Sequence, residues 1–379
     1  MGIIIGVPKE TAALETRVAF SPEMVKKIIA QGHQVCVATG AGTSASMVDE
    51  MFQQVGASIV SQEQALSCDL VLKVKAPNSA ELALMKPQAT LVGMLNPFDQ
   101  EGLQNIAKAG VTSFALEAAP RTTRAQSMDV LSSQANIAGY KAVMIAADLY
   151  QRFFPMLMTA AGTVKAARVV ILGVGVAGLQ AIATAKRLGA VIEASDVRPS
   201  VKEQVESLGA KFIDVAYETD EEKEAAQGVG GYAKPMPQSW LLRQQQEVAK
   251  RVAQADVVIS TALIPGRAAP TLITEEMVRS MKPGSVIIDI AAGKGPNNGG
   301  NCPLSEADLV VKKHGVTIVG YTNLPALVAA DASNLYARNV FDFLKLILPK
   351  DGVVEINPED DIVAACLMTQ NNEVKRASH

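Results

Sequence analysis

The sequence predicts an α/β fold with two doubly wound parallel-sheet domains joined by long helices. Short runs rich in Val, Ile and Leu alternate with amphipathic helical patterns along most of the 379 residues, which is typical of βαβ units. Hydrophobic residues make up 49% of the chain and aromatic residues only 4%, and the buried strands of parallel sheets favour such aliphatic side chains. The length is also sufficient for two or three ordinary domains.

Composition argues against several classes of function. The formal net charge is −3, from 35 Lys and Arg against 38 Asp and Glu, so no basic excess indicates nucleic acid or an anionic membrane as a partner. The four cysteines form no C-x-x-C pair, and neither a zinc site nor a disulfide framework is predicted. The start of the chain lacks signal-peptide features, and the longest apolar stretch, 169–179, is too short to span a bilayer. We therefore expect a soluble, cytoplasmic protein with no metal site.

The first half of the chain is predicted to form one α/β series. Its predicted strands are Ile3–Val7, Gln34–Ala38, Leu70–Val74, Thr90–Met94 and Val111–Ala115. Helices are predicted at Pro22–Gln31, with Ser21 as the N-cap, and at Glu101–Ala109. The polar segment 120–126 then predicts a loop, and a helix from Met128 to about Arg152 is long enough to bridge two domains.

The second α/β series begins at Arg168. Its predicted strands are Val169–Leu172, Val191–Ala194, Lys211–Val215, Val257–Thr261, Ser285–Ile290 and Thr317–Tyr321. The insertion 218–237 starts acidic and ends glycine-rich, which is typical of a functional lid or a disordered loop. One more amphipathic helix, Ser333 to about Leu348, precedes a short strand-like tail. We assign residues 1–135 and 325–379 to one domain and 136–324 to the other.

A glycine-rich turn in the second domain predicts a dinucleotide site. Gly173, Gly175 and Gly178 form a G-x-G-x-x-G between a predicted strand and a predicted helix, and Asp196 lies 21 positions after Gly175, near the usual spacing of about 20. Gly173 would permit the tight turn, Gly175 the approach of the backbone to a pyrophosphate, and Gly178 close packing of the helix. The helix N-terminus attracts the anion. The domain is therefore predicted to be Rossmann-like, the alternative being a glycine-rich turn in an ordinary α/β domain.

The residues around this turn indicate which dinucleotide it holds. Asp196 would accept hydrogen bonds from the ribose hydroxyls and repel a 2′-phosphate, which favours NAD(H) over NADP(H). Arg198 weakens that distinction, although a solvated surface charge is the simpler interpretation. Loops after two further strands should line the same site, with Leu263 either against the adenine or in the core.

The histidine count restricts the chemistry. The chain has three histidines, and we interpret His33 and His314 as surface turn residues and His379 as a terminal residue. Dehydrogenases of hydroxy or amino acids need a base as the hydride leaves, and this is usually a histidine. A Lys or Asp base remains open, but no obvious one is present. Hydride transfer between two nicotinamide rings needs only two rings positioned about 3–3.5 Å apart.

Over essentially its whole length the chain resembles a known family, the NAD(H)-binding alpha component (domain I) of proton-translocating NAD(P) transhydrogenase. The matching segments are 6–10, 15–18, 120–133, 136–140, 173–178, 231–234 and 261–266. The loop Arg121–Asp129 is specific to that family. The resemblance implies two α/β domains separated by a cleft, in subunits that form homodimers.

The resemblance also implies roles for individual residues. Arg121, Gln126 and Asp129 would hold the nicotinamide end of NAD(H), with Arg121 at the pyrophosphate, Asp129 and Ser132 at the nicotinamide ribose or carboxamide, and Gln126 directed toward the partner's NADP(H). Tyr232 would lie on a mobile loop that closes over the nucleotide. The further implied cofactor contacts are Gly173, Gly175, Val176, Gly178, Asp196, Val197, Arg198, Gly231, Gln244 and Leu263. The structural alternatives are a solvated Arg121, a helix first-turn acid at Asp129 and an exposed loop aromatic at Tyr232.

The function implied is direct hydride transfer from NADH held here to NADP+ held on a partner subunit, coupled to proton movement in a membrane subunit. The enzyme would be a Si-/Re-specific transhydrogenase whose alpha chain is active only with its partners and lies at the inner face of the membrane through them. Alanine dehydrogenases are relatives, and Arg17 and Lys75 match their substrate-site features. Their catalytic histidine falls near 93–97, where this chain has none, so we interpret Arg17 and Lys75 as structural ion-pair residues. A non-catalytic NAD-binding module is the third alternative.

Overall fold

The computed structural model describes residues 2–226, 236–264, 266–348 and 353–376. It confirms the predicted α/β fold with two parallel sheets. The chain divides into two units, one formed by Met1–Gln134 with Pro325–His379 and the other by Ala135–Leu324. Each unit contains one of the two large sheets.

The strands, in chain order, are β1 Ile4–Val7, β2 Gln34–Ala38, β3 Ser58–Val60, β4 Leu70–Lys75, β5 Thr90–Met94, β6 Thr112–Ala115, β7 Leu157–Thr159, β8 Gly162–Val164, β9 Arg168–Leu172, β10 Val191–Ser195, β11 Lys211–Phe212, β12 Val257–Ser260, β13 Val286–Asp289, β14 Val310–Lys313, β15 Val316–Val319, β16 Leu367–Gln370 and β17 Glu373–Val374. The α-helices are α1 Pro22–Ile29, α2 Asp49–Gln54, α3 Gln62–Leu66, α4 Ser79–Leu84, α5 Gln100–Lys108, α6 Val130–Leu149, α7 Val176–Arg187, α8 Lys202–Ser207, α9 Asp220–Ala226, α10 Gln238–Val252, α11 Glu275–Ser280, α12 Ala329–Ile347 and α13 Asp361–Cys366.

The sheet of the first unit has the order β17-β16-β6-β5-β4-β1-β2-β3. Its strands pair in parallel except at the β6–β16 and β16–β17 pairings, which form an antiparallel edge. Helix α12 returns to this unit late in the chain and places Tyr336, Phe343 and Leu344, all fully buried, in the same core as Ile5 and Val7 of β1. The apolar face of α12 therefore explains why the C-terminal segment belongs to the first unit.

The sheet of the second unit has the order β11-β10-β9-β12-β13-β15-β14, with β14 as an antiparallel edge strand. Strands β10 and β12 pair in parallel with opposite sides of β9. The sheet therefore has a topological switch point at the carboxyl ends of β9 and β12, which is where open parallel sheets bind their ligands. The hairpin of β7 and β8 forms a separate two-stranded sheet in this unit.

The structure corrects one detail predicted from the sequence and refines another. His33 is buried rather than at the surface, with 4% of its area exposed, and its Nδ1 accepts a hydrogen bond from the Ile3 N–H at 3.3 Å. Burial lowers the pKa of His33. Ser21 is the N-cap residue of α1, as predicted, although its side chain makes no cap hydrogen bond; its carbonyl accepts from the N–H groups of Met24 and Val25, and Pro22 begins the helix.

A buried ion cluster ties together several elements of the first unit. Lys73 Nζ lies 3.2 Å from Glu10 Oε2 and 2.9 Å from Glu81 Oε1, and the three side chains are 1%, 2% and 6% exposed. Glu10 also accepts from the Val74 N–H at 2.6 Å, and the Tyr336 hydroxyl donates to the Lys73 carbonyl at 2.7 Å. Burial raises the pKa of Glu10, although Lys73 opposes that shift.

Arg17 forms a second buried pair, as expected for a structural residue. Its Nη2 lies 2.6 Å from Glu15 Oε2, with the side chains 2% and 0% exposed, and its Nη1 donates to Gln134 Oε1 at 2.7 Å. Lys75 is half-buried. Burial raises the pKa of Glu117, and the charge of Lys75 is one of the smaller effects that oppose this rise.

We predict that Lys73→Met lowers the free energy of unfolding by about 3–5 kcal/mol, because it leaves two buried carboxylates without their cation. The matched control is Lys27→Met, which removes an exposed pair with Glu23 whose side chains are 50% and 48% exposed. The control should cost less than about 0.5 kcal/mol. Urea unfolding followed by circular dichroism measures both, and equal losses would contradict the role assigned to Lys73.

Candidate functional site

The glycine-rich turn lies at the switch point, directly after β9. Gly173 has φ +92°, a conformation that favours glycine, and its N–H donates to the Ser195 carbonyl at 2.9 Å. A Cβ at Gly178 would lie 2.0 Å from the Gly173 carbonyl oxygen. The side chain of Thr261, just after β12, donates to that same oxygen at 2.9 Å. Gly173 and Gly178 are therefore required by the packing of α7 against the turn.

Gly175 is a different case, because a Cβ there would meet none of the described residues within 4 Å. Gly175 is the N-cap residue of α7, and its position offers no side-chain cap to this helix end. The first N–H groups of a helix need acceptors from outside the helix, and with the helix dipole they favour an anion. The open space beside Gly175 is therefore a cradle that fits a phosphate group.

Asp196, directly after β10, accepts hydrogen bonds from Val174 and Arg198. Its Oδ2 accepts from the Val174 N–H at 2.7 Å, and its Oδ1 accepts from the Arg198 N–H at 2.9 Å. The guanidinium of Arg198 adds Nε to Oδ1 at 2.9 Å and Nη2 to Oδ2 at 3.0 Å. The interpretation of Arg198 as a solvated charge is wrong, since its side chain is 24% exposed and lies against a carboxylate that is 7% exposed.

Other predicted contacts lie around the same strand ends. Gln244, on α10, donates from Nε2 to Ser195 Oγ at 3.2 Å. Leu263 is 41% exposed and Val176 40%, so Leu263 is not a core residue. Val197 is half-buried and packs against a small cluster that includes Trp240.

Two buried polar residues that the sequence did not single out shape the loops beyond β12 and β13. Asn301 is fully buried; it accepts from the Ala262 N–H at 3.0 Å and donates to the Ala262 and Pro270 carbonyls at 2.9 and 2.8 Å. Asp289 is also fully buried and accepts from the N–H groups of Asn301 and Cys302 at 3.2 and 2.9 Å. Asp289 lies near the end of a predicted strand and Asn301 at the end of the glycine-rich loop that follows it, and this placement was the signal that the sequence offered.

Gly231 and Tyr232 lie outside the described residues. The chain on either side of them is anchored by contacts between the α9 region and α10. The Glu222 carboxylate accepts from the Glu218 N–H at 2.7 Å and from Arg243 Nη2 at 2.7 Å. These contacts hold the pKa of Glu222 at about 2. The Tyr217 and Trp240 rings stack with their centroids 5.9 Å apart.

In the first unit, the segment 120–132 lines a cavity of about 300 Å³. Arg121, Gln126, Asp129 and Ser132 all contribute to its wall, so the structure brings these four predicted site residues together. Asp129 precedes α6, and its Oδ1 and Oδ2 accept from the N–H and Oγ–H of Ser132 at 2.8 and 2.5 Å. Asp129 therefore caps the helix from the position before its first turn, where its structural interpretation expected a first-turn acid, and its carboxylate also lines the cavity.

Distant residues hold this segment in place. Ala125 and Met128 are buried in the core of the first unit, and Asn339 on α12 donates to the Ser127 carbonyl at 2.7 Å. Arg124 donates to both oxygens of Asp360 at 2.7 and 2.8 Å, which lowers the pKa of Asp360 to about 2. Asn339 and Asp360 lie more than 200 positions from their partners, so no local pattern could have indicated them.

The turn at 93–97, where the resemblance placed the histidine of alanine dehydrogenases, has a structural organisation of its own. Asn96 has φ +54°, which asparagine tolerates better than most residues. The N–H groups of Leu95 and Asn96 donate to the Glu117 carboxylate at 3.1 and 2.7 Å.

The described residues contain neither a metal-binding cluster nor a membrane-spanning helix. Among them, no group of three or more His, Cys, Asp or Glu residues is arranged to hold a metal ion. Within those same ranges, no helix combines the length and the apolar character needed to cross a membrane.

A glycine turn at a switch point, an open helix N-terminus and an acid at the end of the next strand together define a dinucleotide-binding α/β protein. The models of the alanine dehydrogenase/PNT N-terminal and C-terminal domains match residues 6–138 and 142–377. The chain therefore belongs to the alanine dehydrogenase/PNT family, an NAD-binding oxidoreductase family.

Three relatives show where the chain lies within that family. It is 50% identical to an NAD(P) transhydrogenase subunit alpha chain of Rhodospirillum rubrum, over 98% of this chain and 97% of the relative. It is 30% identical to the alanine dehydrogenase of Bacillus subtilis, over 98% and 92%. The crystal structure of a transhydrogenase from Sinorhizobium meliloti has a TM-score of 0.88 and 45% identity, over 98% and 99%. The chain is thus a homologue of transhydrogenase alpha subunits.

We predict that two alanine substitutions in the glycine turn affect different properties, one stability and the other NADH binding. Gly178→Ala should lower stability by about 1–3 kcal/mol, because its Cβ has no room. Gly175→Ala should cost less than about 1 kcal/mol but should weaken NADH binding, because its Cβ enters the phosphate cradle. Thermal unfolding and NADH fluorescence titration measure the two effects. Normal NADH affinity in Gly175→Ala would contradict the assignment of the cradle.

Proposed function

We propose that this chain is the NAD(H)-binding subunit of a proton-translocating transhydrogenase. In this proposal hydride passes directly between NADH held here and NADP+ held on a partner subunit, and the transfer is coupled to proton movement in a membrane subunit. The proposal is carried by the phosphate cradle at Gly175, next to Asp196, in a chain that is 50% identical to a transhydrogenase alpha subunit.

The residues of the second unit suit the adenosine half of the dinucleotide. The backbone at Gly175 and the N-terminus of α7 would hold the pyrophosphate, and Asp196 would accept from the ribose. Leu263 and Gln244 lie on neighbouring segments, and Leu263 offers an exposed apolar surface for the adenine. Val176, Val197, Gly231 and Tyr232 stay proposed contacts.

We assign the nicotinamide end to Arg121, Gln126, Asp129 and Ser132. A carboxylate has about four acceptor positions, and Ser132 occupies two on Asp129. Asp129 therefore has capacity left for a ribose hydroxyl or a carboxamide N–H. Arg121 would serve the pyrophosphate, and Gln126 would extend toward the NADP(H) of the partner.

The bound nicotinamide supplies the hydride, and in ring-to-ring transfer no proton has to leave the donor with it. The chain's task is then to position and to exclude water rather than to provide a base. This agrees with Asn96 at the turn where the resemblance placed a catalytic histidine. An alanine dehydrogenase would need a substitute base.

The partners follow from the same proposal. The Rhodospirillum rubrum relative is named as an alpha subunit, which supports an NADP(H)-binding subunit and a membrane proton-channel subunit on other chains. Through them the chain would lie in the cytoplasm at the inner face of the membrane. We also infer a homodimer, supported by the exposed apolar side chains beside and within the β7–β8 hairpin, Phe153, Met156 and Met158 at 56%, 59% and 75% exposure. Isolated two-stranded hairpins are marginally stable, so a second copy would stabilise this one.

A mixing experiment tests the proposal. NADH-dependent reduction of NADP+ should appear when the chain is combined with the NADP(H)-binding subunit and should be absent from either protein alone. Equal activity without the partner would refute the subunit role. Robust NADH formation from L-alanine and NAD+ would instead establish an amino-acid dehydrogenase, and NADH binding without either activity would indicate a binding module.

Two substitutions of Asp129 distinguish its role in stability from its role in NADH binding. Asp129→Asn keeps an oxygen for the Ser132 N–H, so thermal stability should hold, while NADH binding or hydride transfer should weaken about tenfold as a charge-assisted hydrogen bond becomes neutral. Asp129→Ala should in addition lose about 1 kcal/mol of stability with its helix cap. An Asp129→Asn protein with unchanged affinity and unchanged transfer rate would contradict the assignment.

A further inference from the structure

We propose that Arg198 is a specificity-determining residue of the dinucleotide site. Asp196 holds the Arg198 guanidinium in the arrangement that selects NAD(H), and the same guanidinium binds the 2′-phosphate of NADP(H) once Asp196 no longer holds it. The inference rests on the proposed NAD(H) site and goes beyond it, since it assigns the selectivity to the pair rather than to the acid alone.

The first argument is the way the two side chains meet. The Nε and Nη2 edge of Arg198 lies across both carboxylate oxygens of Asp196, at 2.9 and 3.0 Å. This two-point contact is the geometry that a guanidinium also offers to a phosphate. Arg198 is thus already oriented, two residues from its partner, for an anion at this strand end.

The second argument is where the guanidinium reaches. Nη2 of Arg198 also donates to the Val174 carbonyl at 3.2 Å, inside the glycine turn. Asp196 contacts Val174 as well, because its carboxylate accepts a hydrogen bond from the Val174 N–H. Both side chains therefore lie beside the backbone that would border the adenosine ribose, which carries the 2′-hydroxyl in NAD(H) and the 2′-phosphate in NADP(H).

The third argument concerns charge. The pair is neutral overall, so repulsion by an isolated Asp196 charge is not what excludes a 2′-phosphate. A 2′-phosphate must take Arg198 from a carboxylate that is 7% exposed, and a buried carboxylate that loses its cation is strongly disfavoured. NADP(H) therefore binds more weakly than NAD(H) because its binding requires the Arg198–Asp196 pair to break, which costs free energy.

Removing the charge of Asp196 should remove that cost. In Asp196→Ser the Ser hydroxyl is an acceptor for the Val174 N–H, and the guanidinium loses the two contacts that the Asp196 carboxylate provides. NADPH affinity should then rise about tenfold or more, the effect of gaining a charge-assisted hydrogen bond to phosphate. NADH affinity should fall, because the acceptor for the ribose hydroxyls is weaker.

The test is a four-member cycle of wild type, Asp196→Ser, Arg198→Gln and the double variant. Each protein is titrated with NADH and with NADPH by nucleotide fluorescence, and thermal unfolding checks that each is folded. The double variant should lose the increase in NADPH affinity that Asp196→Ser shows. Its NADH affinity should stay similar to that of Asp196→Ser. Arg198→Gln alone should bind NADPH more weakly than wild type, because Asp196 is then an unpaired charge.

A gain in NADPH affinity that persists in the double variant would overturn the proposal, because relief of repulsion by Asp196 would then account for it. Absence of any gain in Asp196→Ser would overturn it as well. If Asp196→Ser does not fold, Asp196→Asn replaces it with the same expected results. Wild type that does not bind NADH would overturn the proposed function together with this inference, whereas NADH binding without the predicted NADPH shifts overturns the inference alone.

Discussion

The second unit depends on the close contact between α7 and the glycine turn that precedes it. The Gly178 Cα approaches the Gly173 carbonyl so closely that a Cβ would lie 2.0 Å from the oxygen. This contact directs the start of α7 at the carboxyl ends of β9 and β12. It leaves the backbone at Gly175 open and brings the Val174 N–H within 2.7 Å of Asp196. The phosphate cradle and the acid beside it are thus consequences of one packing constraint.

The first unit builds its candidate site by another route. The segment 120–132 contains one 3₁₀ turn, Gln126–Met128, and its shape is set by elements far away in the sequence. Ala125 and Met128 are buried in the core. Asn339, on α12, donates a hydrogen bond to the Ser127 carbonyl of this segment. Arg124 pairs with Asp360, which directly precedes α13. The C-terminal segment is therefore as important to this loop as the residues that line its cavity.

Three aspartates show how hydrogen-bond counting, among the described residues, separates structural from ligand-binding carboxylates. Asp289 accepts five hydrogen bonds, four from the loop that follows it and one from Ser260 on β12, which uses its acceptor capacity within the fold. Asp196 accepts four, three of them from Arg198, so a ligand must compete with that residue. Asp129 accepts two, both from Ser132. The same side chain is therefore a scaffold in one place and a candidate binding group in another.

The sequence by itself determined the fold class and the location of the dinucleotide turn. Alternation of strand and helix patterns, the spacing from Gly175 to Asp196 and the glycine positions are local signals, because each reflects the backbone of one βαβ unit. It also indicated Arg121, Gln126, Asp129 and Ser132, which the structure places on one cavity, but through resemblance rather than through local physics.

Tertiary structure decided what local signals do not contain. His33 is buried, the Ser21 side chain makes no cap hydrogen bond at its helix, and Arg198 pairs with Asp196 instead of facing solvent. The anchors Asn339, Asp360 and Asn301 gain their roles from partners across the fold. Burial and hydrogen-bond partners at long sequence separation are set when sheets and helices pack together, and that packing decides whether a polar side chain is a surface residue, a support or a binding group.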